Sequence, residues 1–154
     1  MSDVDPASFG QAAGQFTGGI VVVTTAAGAA MTVSSFTSVS LEPPLVLFCA
    51  DKTATFHDAV IAAGSWAVSI LAEDAEPQAR PLEAAAHHPG PVTGAPVLDG
   101  ALAYLECRTT AVHDGGDHSI ILGQVDAASV PAQRSSRRPL VHYAGRYRRL
   151  RLRG

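Results

Sequence analysis

The chain is short of the residues that mark most specialised sites. Among 154 residues there are two cysteines, one lysine and one tryptophan, and aromatic residues make up only 6%. Cys49 and Cys107 each lie alone inside an apolar run, LVLFCA and LAYLECR. That placement excludes a disulfide framework and a zinc spacing, and it predicts buried free thiols. No stretch reaches the ~18 consecutive apolar residues of a membrane span, and the opening MSDVDPASFG has no basic region ahead of an apolar one. A cytoplasmic protein with no membrane anchor is therefore expected. There is no G-x-G-x-x-G after a first strand, no G-K-[ST] phosphate loop, no H-E-x-x-H helix and no G-x-S-x-G elbow. Neither a Rossmann domain nor a P-loop nucleotidase fits.

What is present is unevenly charged. Up to Asp126 the chain carries three basic and fourteen acidic residues, a balance of −11, whereas residues 127–154 hold eight arginines and no acid, a balance of +8. Such a tail suits an acidic partner, a phosphate-bearing ligand or nucleic acid. The arginines from Arg146 to Arg153 alternate with apolar residues in a strand-like rhythm, and no lysine run or aromatic stacking platform accompanies them. No nucleic-acid partner is expected.

The apolar pattern predicts one domain over residues 1–154, built mainly of antiparallel strands. Residues 16–25 (FTGGIVVVTT) form a β-branched strand, AAGAA turns the chain, and residues 31–39 return beside it. Ser34, Ser35, Thr37 and Ser38 make this second strand polar, as expected of one that faces a hydrogen-bonding ligand. Glu42-Pro43-Pro44 breaks the ladder, and residues 45–49 read as a buried strand. Phe56, Val60 and Ala63 recur at helical spacing over residues 53–63, with Thr53 or Thr55 as cap and Gly64 as terminator. Residues 65–71 alternate as a strand. Residues 73–100, with five prolines, read as a surface excursion or lid with a helical turn at 82–87. Residues 101–113 and 118–130 are long strands around Asp114-Gly115-Gly116-Asp117, and residues 140–150 supply a last strand. Six or seven strands and one principal short helix point to a closed or partly closed β-barrel.

Three clusters offer ligand chemistry. Residues 32–40 (TVSSFTSVS) form a polar strand, which is either a face turned to a ligand or an exposed edge strand. Asp51 to Thr55 (DKTAT) places the single lysine beside two threonines at a helix start, where free amides and the helix dipole make either an anion seat or an ordinary cap with a solvated Lys52. Gly116-Asp117-His118 sits at a hairpin end, where His118 is either a functional group or a partner of Asp117. Adjacent His87 and His88 point about 100° apart on a helix and lack a carboxylate or cysteine cluster, so no metal site is expected. The three clusters together fit one site for a phosphorylated aromatic cofactor.

The segments FTGGIVVVTT, MTVSSFTSVSLEPPLVLFC, DKTAT, GAPVLDGALAYLEC, GDHSIILGQV and PLVHYAGRY follow in the order of the short-chain flavin reductase family, which the chain resembles over residues 9–150. The resemblance implies a Greek-key split β-barrel that binds flavin, usually a homodimer. It implies hydride transfer from NADH or NADPH to FMN or FAD, and delivery of reduced flavin to a partner monooxygenase. Thr32, Val33, Ser34 and Ser35 would line the isoalloxazine ring, with Ser38, Val39 and Ser40 extending that wall. Ala50, Asp51, Lys52, Thr53 and Thr55 would approach the ribityl phosphate. His118 would pack near flavin and nicotinamide, and Tyr143, Arg146 and Tyr147 would border the nucleotide or the dimer contact. Residues 77–93 depart from the family, which usually carries a longer helical cover there. A flavoprotein of this fold that acts directly on an organic substrate, or an electron-relay module without catalysis, would share these features.

Overall fold

β-Branched and aromatic residues at alternate positions give the chain its strands, and the pairing of those strands decides which faces are buried. The computed structural model describes residues 3–75, 85–132 and 137–153. An N-terminal helix α1 (Pro6–Ala13) leads into β1 (Gly18–Gly19), β2 (Val21–Thr24), β3 (Ala30–Val33), β4 (Thr37–Leu41) and β5 (Pro44–Asp51). Helix α2 (Thr55–Ala63) and β6 (Ser65–Ile70) follow. Then come β7 (His87–Pro89), β8 (Pro96–Leu98), β9 (Ala103–Gly115), β10 (His118–Ser129), β11 (Leu140–Tyr143) and β12 (Arg146–Arg149).

Seven strands form one antiparallel sheet in the order β3-β2-β6-β9-β10-β5-β4. Its two edge strands, β3 and β4, are joined by residues 34–36 alone, so the sheet must curl until its edges meet. The result is a barrel split between β3 and β4. Its interior takes Val21, Val33, Phe48, Trp66, Cys107 and Ile121 from six different strands. Phe56 and Val60 of α2 enter the same core, and Phe48 meets Trp66 edge-on with ring centroids 4.8 Å apart.

The mainly β antiparallel barrel agrees with the reading from sequence, while several elements differ. The polar strand expected over residues 31–39 is two strands, because residues 34–36 leave β2 and cross the split to β5. Residues 140–150 form a hairpin, β11–β12, which turns at Ala144 (φ 52°) and Gly145 (φ 76°) and pairs with β1 in a separate three-stranded sheet. Helix α1 was not anticipated, since Phe9 stays exposed and the helix buries none of its residues. β6 is buried on both faces instead of alternating. Trp66 and Val68 point into the barrel, while the other face packs under the β7–β8 hairpin, where Ser69 Oγ accepts from Leu98 N–H at 3.0 Å. Residues 87–89 are strand, so a helical turn does not extend to His87; residues 82–84 of the turn expected at 82–87, with the rest of 76–84, lie outside the described residues.

Candidate functional site

The last three residues of β5 are the hub of the site. In the β5–β10 ladder Cys49 faces Ile120, Ala50 faces Ser119, and Asp51 faces His118. Ser35, on the crossing between β3 and β4, docks its hydroxyl on the same strand: Oγ accepts from Cys49 N–H at 3.0 Å and donates to Cys49 O at 3.3 Å. The chain then turns through Lys52 and Thr53 into α2. Part of the polar strand, the helix start and the hairpin histidine are thereby brought to one place, although 82 positions separate Phe36 from His118 in the chain.

Side-chain alternation sorts the cluster into an outer and an inner layer. His118 is on the outer face, with Nδ1 2.7 Å from Asp117 Oδ1 and 42% of its side chain exposed. Ser119 is buried on the inner face and meets His57 of α2, whose Nε2 lies 2.7 Å from Ser119 Oγ and whose Nδ1 lies 2.8 Å from Asp58 Oδ1. A carboxylate only accepts, so Nδ1 carries a proton in both histidines. His57 thus pins the first turn of α2 to β10 beside His118.

The helix start differs from the expected cap. Its N-cap is Ala54, with no side-chain bond, and neither Thr53 nor Thr55 caps it. Asp51 Oδ1 instead accepts from Thr53 N–H at 2.8 Å and from Thr53 Oγ1 at 2.7 Å. These bonds, the amide first and the hydroxyl second, hold the Asp51 carboxyl below the ordinary range. Lys52 N–H donates to Asp117 O at 3.0 Å, and its ammonium pairs with Asp114 on the facing hairpin strand. That hydrogen bond, followed by the charge behind it, likewise holds Asp114 below its usual value.

Other anticipated residues fall further from this hub. Ala50 and Val33 turn their side chains into the core and are buried as whole residues, so neither presents a side chain to the surface. Ser38 pairs with Val46 and Ser40 with Leu45, which sets them roughly 16–20 Å from Asp51 along β5 at ~3.3 Å per residue. Val39 lies at the register shift between them and is exposed. Tyr143 donates from its hydroxyl to Gln15 Oε1 at 2.9 Å, Tyr147 packs against the cluster of Ile20, Val22, Leu71 and Leu140, and Arg146 is exposed on β12. These three belong to the separate sheet, which approaches the polar segment where Gly18 lies against Ser34 O.

His57 and Asp114 were missed by sequence reasoning. His57 is one of six histidines, and only the docking of α2 on β10 distinguishes it; Asp114 read as turn chemistry until the hairpin brought it over Lys52. The edge strands β3 and β4 leave outward backbone donors and acceptors along the split, next to Thr32, Ser34 and Ser35. A planar ligand rich in heteroatoms suits that rim. Among the described residues no group of three histidine, cysteine or acidic side chains could hold a metal ion.

Residues 13–151 match the family described as flavin reductase like domain. The chain is 39% identical to the reductase subunit HsaB of a flavin-dependent monooxygenase from Mycobacterium tuberculosis, over 95% of this chain and 83% of that protein. It is 37% identical to an NADH-dependent flavin reductase from a Rhodococcus species, over 99% and 90% of the two chains. Among solved structures, the NADH:FAD oxidoreductase SgcE6 of Streptomyces globisporus, in complex with NAD and FAD fragments, superposes with a TM-score of 0.87 at 36% identity, covering 98% of each chain.

Proposed function

The chain belongs to the flavin reductase like domain family, and from that premise we propose that it is an NADH- or NADPH-dependent flavin reductase. Its substrate flavin is FMN or FAD, and the reduced flavin leaves for a separate monooxygenase. The observation that carries this reading is the convergence of Ser35, Asp51 to Thr53 and His118 at the end of β5. Flavin, when bound, supplies the redox chemistry by accepting a hydride at N5 from C4 of the nicotinamide.

The protein's part is to bind and orient. Thr32, Ser34 and Ser35, with the outward backbone of β3, form the rim for the ring edge. Asp51, Lys52, Thr53 and Thr55 face the ribityl chain and its phosphate. His118, locked by Asp117 with Nδ1 protonated, presents its outer ring edge to the nicotinamide. Ser38, Val39 and Ser40 extend the wall along the split, while Tyr143, Arg146 and Tyr147 border the nucleotide end. Since hydride transfer needs close stacking and no general base, alignment is what these residues contribute.

In the same reading, residues 1–154 are one domain that works in the cytoplasm as a homodimer. Exposed Val39 and Leu41 along the edge strand β4 support self-association, and the free thiols Cys49 and Cys107 suit a reducing compartment. Among the described residues no helix is long and apolar enough to cross a membrane.

The test is an anaerobic titration with NADH in the presence of excess FMN or FAD, following oxidised-flavin absorbance. Bleaching of the whole flavin pool is expected. Bleaching of one flavin per subunit would point to a tightly held cofactor serving an organic substrate, and no bleaching of bound flavin would leave a relay module; either result refutes the reductase.

A further inference from the structure

The donors at the end of β5 are already engaged by the chain's own carboxylates. Asp51 takes both the amide and the hydroxyl of Thr53, and Asp114 takes the ammonium of Lys52. Lys52 is the only lysine or arginine of residues 51–58 and 114–119, which also carry Asp51, Asp58, Asp114 and Asp117, so these two segments have more negative than positive side chains. Both Asp51 and Asp114 are held ionised by these bonds. A phosphate monoester, with about −1.5 to −2 charge near neutral pH, meets a rival there as well as a partner.

We infer that Asp114 is a specificity-determining residue that competes with the flavin's phosphate for Lys52. This rests on the functional reading above and deepens it: the ring, bound at the split, dominates affinity, and the phosphate adds little. Riboflavin, which has the ring and no phosphate, then binds nearly as well as FMN. Flavin also remains exchangeable, as a diffusible carrier of reducing equivalents must be. The ion pair is suited to this role because it is open to solvent, with 39% of the Lys52 side chain and 79% of the Asp114 side chain exposed. An exposed pair can be traded for another anion at small cost, whereas a buried pair cannot.

The experiment is a set of fluorescence-quenching titrations with riboflavin and with FMN. It compares the unaltered protein with Asp114→Asn, Lys52→Gln and the double variant, at about 20 mM and about 500 mM NaCl. The readout is the ratio of FMN to riboflavin affinity, which a general loss of structure does not mimic. In the unaltered protein the ratio is expected to lie near one. Asp114→Asn should raise it about fivefold at low salt, high salt should erase most of that gain, and in the Lys52→Gln background the same substitution should change it less than twofold. A tenfold or larger ratio in the unaltered protein would overturn the inference, as would an unchanged ratio in Asp114→Asn with both flavins still binding. If neither flavin binds the unaltered protein, the functional reading falls and takes this inference with it.

Discussion

Replacing Glu106 by alanine should release one loop and cost a substantial part of the fold's stability while sparing the site. Glu106 is fully buried in β9, yet it is ionisable, and its oxygens collect the backbone of the loop between β7 and β8. Oε1 accepts from Thr93 N–H at 2.9 Å, Thr93 Oγ1 at 2.8 Å and Val92 N–H at 3.1 Å. Gly90 lies so close that any β-carbon there would overlap the carboxylate, which explains a glycine at that position. A hydrogen bond to a charged group contributes about 1.5–3 kcal/mol, and a buried donor left without its acceptor costs about 1–3 kcal/mol. Val92 is 56% exposed, so the released amides reach water and part of that cost is recovered. The expected loss is about 2–4 kcal/mol, a large share of the ~5–15 kcal/mol typical of a domain. Glu106→Gln, which keeps one acceptor oxygen, should lose about 1 kcal/mol. Urea denaturation followed by tryptophan fluorescence measures both, and amide exchange at Val92 and Thr93 reports release of the loop. Nine residues along β9 separate Glu106 from Gly115 at the hairpin end, roughly 30 Å, so NADH oxidation by the folded variant should be unaltered. A cost below 1 kcal/mol for Glu106→Ala would refute the reasoning, since a buried carboxylate with three donors cannot be that dispensable.

Three further outcomes follow from particular residues. His118→Ala should raise KM for NADH about tenfold, equivalent to ~1.4 kcal/mol, while flavin affinity by fluorescence titration stays within about twofold; abolished flavin binding with unchanged reduction of whatever binds would move His118 to the flavin seat. Ala144 holds φ 52° at the β11–β12 turn, which suits glycine or asparagine better than alanine, so Ala144→Gly should stabilise by about 0.5–1 kcal/mol in thermal melts, and a lower melting temperature would show the turn is not strained. Burial, followed by the nearby carboxylates Asp126 and Glu106, pushes the Cys107 thiol from 9.0 up to about 12. Between those values the unfolded chain binds fewer protons than the native one, so stability should fall as pH rises above 9, by about 1 kcal/mol at pH 10. Cys107→Ala should remove that slope in urea titrations, and an undiminished slope would assign it to other groups.

The strand-rich character of the chain was readable because β-branched runs such as residues 20–25 and the turn residues between them act locally. The hairpin at Gly116 shows how far that reach extends. Paired glycines announced a turn, and the structure closes it with a two-residue loop, Gly116 at φ 79° and then Asp117, leaving Gly115 in the strand opposite His118. The Lys52 segment shows where it stops. A helix start with two threonines has the composition of an anion seat, but Asp51 takes the donors of Thr53 and Asp114 the ammonium of Lys52, and Asp114 arrives from 62 positions away. The same holds for the expected single strand over residues 31–39, whose polar residues belong to two edges of one sheet. Polarity was visible in the sequence, and its division across the split was not.

Composition, periodicity and turn residues by themselves determined that this is a mainly β chain with one core-building helix, a polar strand region, a helix start bearing the only lysine, and a hairpin histidine. Those features depend on interactions between residues a few positions apart. Only the tertiary structure decided that Ser35, Asp51 to Thr53 and His118 share the end of β5, that His57 stands behind them on Ser119, and that Tyr143 and Tyr147 belong to another sheet. Strand register set those outcomes. It is chosen by which apolar faces fill one barrel together, and a shift of a single residue would turn His118 inward and Ser119 out.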